Sequence, residues 1–209
     1  MIDPTARQQE LTFDLILSLD GCAAGDGWPG WWGLESPEYL DWLARQPEQL
    51  TVMGATTYRT MSAMAEQAAS LEIAAAERAG FAQLTQAEKV VFSGTLEEPL
   101  RWPNTRLISS DAVDAVRELK RTSSRPLGTL GSIRLGHSLM QAGVVDRFRI
   151  VLFPVITGRT GLERVWERFG DFALQLLASR TFEGGLQLLE YRPTPLAQPP
   201  GSAWQRDSK

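Results

Sequence analysis

The apolar positions of this chain follow two periods in turn. Short unbroken apolar runs that end at Gly, Pro or Asp-Gly are typical of buried strands, and the first, "LTFDLILSLDG", predicts a strand over residues 11–19. Between such runs, apolar residues recur at helical spacing. The segment "PEYLDWLARQ" predicts a helix that Ser36 caps and Pro37 begins. Two apolar runs around Gly184 and Gly185 predict a hairpin near the end of the chain.

The order of the predicted elements indicates the fold class. Strands alternate with helices through most of the chain, which predicts an α/β fold with a mostly parallel central sheet, helices on both of its faces and a C-terminal antiparallel hairpin. Residues 22–36 are predicted to be a loop, since Gly and Pro break every period there. We predict three segments: a loose leader (1–10), one domain (11–192) and a flexible tail rich in Pro and Gly (193–209).

Composition and charge exclude several functional classes. The chain has 209 residues, 43% of them hydrophobic, and a net charge of −4 with scattered basic residues, so we expect no nucleic-acid partner. No apolar run approaches the roughly 20 residues that span a bilayer, and we expect no membrane partner. The polar N-terminus and the single cysteine, Cys22, predict a cytoplasmic protein. The single histidine, His137, has no cysteine cluster with it, so we predict no metal site.

Small hydroxyl and glycine residues follow the ends of four predicted strands. In open α/β sheets, ligands bind beyond the carboxyl ends of the strands, and a helix start there offers unpaired N–H groups to an anion. Taken alone, the glycines of "GTLGSIRLGHSLMQAG" are explained by an ordinary turn and by close packing of the helix on the sheet. The set as a whole suits the phosphates and ribose of a nucleotide better than a metal. The segments concerned are "GATT" (54–57), "SGT" (93–95), "SS" (109–110) and "GS" (131–132).

Several of these motifs resemble a known family. The segments "SLDG", "MGATTYRTM", "KVVFSGTL" and "AGVVDRFRIVLFPVITG" occur in the order seen in dihydrofolate reductase-like proteins. The chain most resembles, over roughly residues 11–192, the C-terminal reductase domain of the bifunctional riboflavin-biosynthesis deaminase-reductase and its stand-alone relatives. The resemblance implies a reductase that transfers a hydride from NADPH to a small heterocyclic, pterin- or pyrimidine-like substrate. It also implies a homodimer, to which the apolar strand at residues 148–155 is expected to contribute.

The resemblance further implies which residues contact the nucleotide. They form three groups along the strand ends. The first group lies near the pyrophosphate and adenosine, the second near the adenosine ribose, and the third cradles the pyrophosphate at a helix start. These groups are Gly54, Thr56 and Thr57; Ser93 and Thr95; and Gly131, Ser132 and Ile133.

Two departures from the family pattern bear on the cofactor. The family commonly has an arginine in G-R-x-T-Y and another in S-R-T-L, whereas this chain has Ala55 and Gly94 at those places. Each lost charge-assisted contact is worth about 1.5–3 kcal/mol. We therefore expect a weakened or altered nucleotide preference, with NADH as the second candidate cofactor, unless Arg59 or Arg134 compensates. A non-catalytic nucleotide- or small-molecule-binding protein with a degraded cofactor site is the alternative function.

The candidates for proton handling and substrate binding lie near the first strand and helix. A pocket carboxylate with a raised pKa anchors a substrate or helps to protonate it, and we predict this catalytic role for Asp20 and Asp41. Glu38 and the loop residue Trp28, which is close in sequence to Trp31 and Trp32, are predicted to contact the substrate. The alternatives are an Asp-Gly turn for Asp20, a solvated helix face for at least one of the two helix carboxylates, and loop packing for the tryptophans.

Overall fold

A computed structural model describes residues 8–28, 30–31, 33–68, 73 and 75–198. Ten strands and five α-helices are found in these residues. The strands are β1 (Leu11–Ser18), β2 (Cys22–Gly25), β3 (Leu50–Gly54), β4 (Lys89–Phe92), β5 (Thr105–Ile108), β6 (Leu127–Thr129), β7 (Arg147–Phe153), β8 (Gly161–Arg164), β9 (Phe172–Thr181) and β10 (Gln187–Pro195). The helices are α1 (Pro37–Ala44), α2 (Ala55–Gln67), α3 (Ala75–Gln86), α4 (Ala112–Thr122) and α5 (Ile133–Gln141), with short 3-10 helices at Val165–Arg168 and Glu183–Gly185.

Eight strands form the central sheet in the order β5-β4-β3-β6-β1-β7-β10-β9. The first six of these are mutually parallel, and β10 pairs antiparallel with β7 and with β9. The predicted fold class and C-terminal hairpin are therefore confirmed. The loop predicted over residues 22–36 is wrong in part, because β2 lies there and pairs antiparallel with β8 in a small second sheet.

Successive side chains of the strands point to opposite faces of the sheet, and both faces are covered by helices. On one face, Leu11, Phe13, Leu15 and Leu17 of β1 pack in the core with residues of α4 and α5. Gly136 of α5 belongs to this face, and a β-carbon there would overlap the ring of Phe13. The close packing expected for this glycine is thus confirmed.

The opposite face is covered by the other three helices. Met53 of β3 and Val91 of β4 pack with Tyr58 of α2 and with residues of α3. Farther along the sheet, Phe153 of β7 packs with Tyr39 of α1. The helices therefore flank the sheet on both sides, and α1 is separated along the sheet from α2 and α3.

The strand predicted to contribute to a homodimer is not exposed. β7 lies inside the sheet between β1 and β10, and Phe148, Val151 and Phe153 are buried. Both edges of this strand already pair within the chain, so it offers no free edge to a second copy, and its part in a homodimer stays a prediction. The sheet ends instead at β9, whose residues are almost all exposed.

The ends of the domain differ somewhat from the predicted segments. Gln9 of the predicted leader donates its N–H to Lys120 O at 2.8 Å. β10 continues to Pro195, three residues into the predicted tail, while residues 1–7 and 199–209 lie outside the described residues. Within the described part of the chain, no helix has both the length and the apolar character that crossing a membrane requires.

Candidate functional site

The strand ends that carry hydroxyl and glycine residues meet at one edge of the sheet. β4, β3 and β6 are adjacent and parallel, so their carboxyl ends point the same way. Gly54 ends β3, Ser93 follows β4, and Gly131 comes two residues after β6. We call the segments 54–57, 93–95 and 131–133 the strand-end rim. The parallel topology thus brings together residues that are far apart in sequence.

Ser132 links two parts of the strand-end rim. Its hydroxyl accepts the Gly54 N–H at 2.8 Å and donates to Thr57 Oγ1 or Leu130 O, at 2.8 and 3.2 Å. Gly131 and Ser132 both have positive φ, +52° and +64°. This left-handed conformation is rare for a non-glycine residue and costs on the order of 1 kcal/mol. The hydrogen bonds of the Ser132 side chain hold it there against that cost.

The two helices that begin at the rim differ from α1 and α4 in their N-caps. Ser36 Oγ caps α1 by accepting the Tyr39 N–H at 3.2 Å, and an oxygen of Asp111 caps α4 through the Asp114 N–H at 3.0 Å. α2 and α5 have no side-chain cap from the residues that the structure describes. Their first N–H groups and the positive ends of their dipoles therefore face the rim without a side-chain acceptor.

The segment after β4 forms a hydroxyl pair. Ser93 Oγ accepts the N–H groups of Thr95 and Leu96, both at 3.0 Å, and lies 3.3 Å from Thr95 Oγ1. The Arg59 guanidinium of α2 donates to Thr95 Oγ1 at 3.4 Å. A β-carbon at Gly94 would meet no atom within 4 Å. This part of the rim is therefore open and has one cation beside it.

The other predicted nucleotide contacts differ in exposure. Thr56 is exposed and Thr57 is half-buried beneath Ser132. Ile133 is half-buried and packs against the core under α5. A nucleotide at the rim would therefore meet Ile133 through its backbone N–H rather than through its side chain.

Asp20 is tied to the loop that follows β7. Its carboxylate accepts the N–H groups of Thr157 and Gly158 at 3.2 and 2.9 Å, and the Thr157 hydroxyl also lies within 3.3 Å. A hydrogen bond from the Ser18 hydroxyl, together with those N–H groups, holds the pKa of Asp20 well below its ordinary value. The raised pKa expected of a catalytic carboxylate is therefore not found at Asp20, because its charged form is stabilised by several donors.

The two carboxylates of α1 make different contacts. Asp41 forms an exposed ion pair with Arg45 at 2.6 Å, as the solvated-face alternative describes. Glu38 binds Arg180 at 2.7 Å and the Glu183 N–H at 2.9 Å, which joins α1 to the β9–β10 hairpin. The Arg180 hydrogen bond lowers the pKa of Glu38. The structure does not bring either residue together with the strand-end rim.

Trp28 lies in the loop after β2 and packs on its neighbour. Its ring meets Trp31 edge to face, with 5.2 Å between centroids, and Trp31 is fully buried. This is the loop packing that the sequence left open as an alternative. Trp32 lies outside the described residues.

A charged cluster that was not predicted from the sequence lies beneath α1. Asp14 of β1 accepts from Arg149 of β7 at 3.2 Å, and Arg149 also donates to Glu190 of β10 at 2.8 Å. Burial raises the pKa of Asp14 to about 6, although Arg149 opposes the shift. The side chain is nonetheless 30% exposed, and Oδ1 has no hydrogen-bond donor from the described part of the chain. A signal was present in the sequence, since a single carboxylate interrupts the apolar run "LTFDLIL".

No group of three or more His, Cys, Asp and Glu side chains gathers in a metal-binding arrangement within the described ranges. His137 lies on α5, where its ring is 5.0 Å from that of Phe169.

Comparison with known proteins gives one family and several similar structures. The family described as the RibD C-terminal domain matches residues 9–188. No curated protein matches the chain in sequence.

Three solved structures illustrate the likeness. A protein described as a riboflavin biosynthesis protein, from Shewanella sp. PV-4, is 16% identical with a TM-score of 0.63, over 88% of this chain and 99% of that one. A pyrimidine reductase-like protein from Corynebacterium diphtheriae is 14% identical with a TM-score of 0.61, over 91% and 94%. The diaminohydroxyphosphoribosylaminopyrimidine deaminase/5-amino-6-(5-phosphoribosylamino)uracil reductase of Thermotoga maritima is 16% identical with a TM-score of 0.63, over 91% and 58%. At these identities the likeness shows a shared fold.

Proposed function

We propose that this chain, which belongs to the RibD C-terminal domain family, binds NADPH at the strand-end rim and reduces a small organic compound. Family membership supports a reductase-like protein of the riboflavin-pathway type. The nicotinamide nucleotide and the substrate class, a pterin- or pyrimidine-like heterocycle, are the finer part of this proposal.

The observation that carries the proposal is the set of hydrogen bonds by which the Ser132 hydroxyl connects the loop after β6 to Gly54 and Thr57 at the start of α2. These hydrogen bonds hold the loop after β6 against the start of α2, which sets two uncapped helix starts side by side. Such a pair of helix starts offers N–H donors and partial positive charge to the two phosphates of a dinucleotide. The capped starts of α1 and α4 lie outside the rim and offer less to an anion.

The residues of the strand-end rim fit a nicotinamide nucleotide. The N–H groups at the starts of α2 and α5 suit the diphosphate, and the hydroxyls of Ser93 and Thr95 suit the adenosine ribose. When bound, the nicotinamide ring supplies the hydride. The chain binds and orients the nucleotide, and Gly131, which has a positive φ, lets the backbone approach the diphosphate closely.

We propose a proton-handling role for Asp14. A group that donates a proton near neutral pH needs a pKa close to that range, and burial brings Asp14 to about 6. Asp20 and Asp41 remain predictions as catalytic residues, as do Glu38 and Trp28 as substrate contacts. Their hydrogen bonds and packing support roles in positioning the loop after β7, α1 and the loop after β2.

We also propose a homodimer, with its interface on β9 rather than on β7. β9 pairs only with β10 among the described strands. It exposes Leu174, Leu176 and Leu177, at 43%, 55% and 36%. An exposed edge strand with apolar side chains is a ready surface for pairing with another strand.

Titration with NADPH and NADH, followed by quenching of tryptophan fluorescence, tests the proposed function. We expect saturable NADPH binding, and oxidation of the nucleotide at 340 nm with at least one member of a panel of pterins and pyrimidine flavin precursors. Absence of binding to both nucleotides at millimolar concentration would exclude the reductase. Binding without oxidation across the panel would favour the non-catalytic alternative, which the lack of a cation at Ala55 and Gly94 also favours.

A further inference from the structure

Arg59 is the cation that the structure places at the open end of the strand-end rim. It lies one helical turn beyond Ala55 on α2, so the two residues share a face of the helix. Its guanidinium reaches across to the segment after β4 and donates to Thr95 Oγ1 at 3.4 Å. A positive charge therefore lies beside the rim although Ala55 and Gly94 carry none.

The charge of Arg59 is not neutralised by a carboxylate from the described part of the chain. Two other exposed arginines are each paired with a carboxylate about one turn away: Arg45 at the end of α1 with Asp41 at 2.6 Å, and Arg117 of α4 with Asp114 at 2.9 Å. For Arg59 the structure gives a single long hydrogen bond to a neutral hydroxyl. Because a guanidinium carries five N–H donors, most of those of Arg59 are available to a ligand.

The surroundings of Arg59 leave room for an anion. A β-carbon at Gly94 would contact nothing within 4 Å. Ser93 and Thr95 present hydroxyls 3.3 Å apart on either side of that glycine. An anion beside Gly94 would thus meet one guanidinium and two hydroxyl groups.

We propose that Arg59 binds the 2′-phosphate of NADPH and so sets the nucleotide preference of this chain. The inference rests on the proposed function, since it requires the nucleotide to lie along the strand-end rim with its adenosine near Ser93 and Thr95. A phosphate monoester accepts two parallel N–H bonds from an arginine. NADH has an uncharged hydroxyl at that place and gains little from Arg59. The missing charges at positions 55 and 94 are then replaced by one cation from the next turn of α2.

Binding of nucleotide fragments isolates this contact from the rest of the site. Calorimetry compares 2′,5′-ADP with 5′-AMP, and NADPH with NADH, on the native chain and on Arg59→Gln. We expect the substitution to weaken 2′,5′-ADP and NADPH by roughly tenfold or more, and to leave 5′-AMP and NADH unchanged. Arg117→Gln, an exposed arginine on the opposite face of the sheet, is the matched control and should change none of these affinities.

A second variant distinguishes loss of the positive charge from a structural effect of the Arg59→Gln substitution. Gly94→Arg in the Arg59→Gln background places a guanidinium in the open space beside Thr95, and recovery of NADPH preference supports the inference. An equal loss for both members of each pair, no loss at all, or a native preference for NADH would overturn it while the proposed function stands. If the native chain binds neither NADPH nor NADH, the inference and the proposed function fall together.

Discussion

Asp14 shows how one half-buried side chain links the packing of the sheet to a pH-dependent property. It lies directly opposite Arg149 in the β1–β7 pairing, and Glu190 holds the other side of that guanidinium. Burial favours the neutral carboxyl group, and the pKa rises from 3.8 to about 6. The folded chain therefore keeps this proton at a higher pH than the unfolded chain does.

We expect this linkage to appear in the stability of the native chain relative to Asp14→Asn. Between about pH 4 and pH 6 the folded state binds the Asp14 proton and the unfolded state does not, so the free energy of unfolding falls as the pH rises. The fall amounts to at most about 3 kcal/mol, and it levels off above the folded pKa. Urea unfolding at a series of pH values measures it. Parallel stability curves for the two proteins would contradict the assigned pKa.

Ser132 allows a second test at the scale of a single residue. Ser132→Ala removes the hydrogen bonds to Gly54 and Thr57 while keeping a β-carbon at positive φ, so we expect a loss of about 1–3 kcal/mol. Ser132→Gly loses the same hydrogen bonds but relieves the strain, and should be less destabilised by roughly 1 kcal/mol. Chemical denaturation of the two variants measures which of them loses more free energy of unfolding. Ser138→Ala, an exposed serine on the same helix, serves as the control and should change little.

The elements themselves were predictable to different degrees. The starts of α1 and α4 can be predicted from the sequence, because their N-caps, Ser36 and Asp111, bond to backbone N–H groups only three residues further along the chain. β2 and β8 were missed because each is four residues long and takes its stability from pairing with the other across the chain. The rim residues could be named from their place after strands, but the Ser132 bridge joins residues 78 apart and depends on a left-handed turn. Asp14 and Arg149 meet only through strand register, which periodicity does not give.

Substituting Gly136 and Gly80 by alanine distinguishes the effect of helix propensity on stability from the effect of side-chain packing. Both lie inside helices, where Gly→Ala ordinarily stabilises by about 0.5–1 kcal/mol. A β-carbon at Gly80 meets nothing within 4 Å, whereas at Gly136 it overlaps the Phe13 ring. We expect Gly80→Ala to raise the melting temperature and Gly136→Ala to lower stability by about 1–3 kcal/mol. Stabilisation by Gly136→Ala in thermal or urea unfolding would show that α5 packs less tightly on β1.

At the scale of the whole molecule, the central sheet ends at β5 on one side and at β9 on the other, and the residues of β9 are almost all exposed. The proposed dimer pairs this edge strand with that of a second copy. We expect Leu176→Lys to convert the dimer to a monomer in light scattering, because a charge would replace an exposed leucine within the interface. Leu162→Lys, on β8 and 49% exposed, is the matched control and should leave the mass unchanged. A native chain that is already monomeric would contradict the dimer.

A crystal structure of the chain soaked with NADPH tests most directly whether the strand-end rim holds a dinucleotide. We expect diphosphate density at the starts of α2 and α5, over Gly131 and Ser132, with the adenosine beside Ser93 and Thr95. Nucleotide density at any other place on the molecule, or an empty rim at millimolar NADPH, would contradict it.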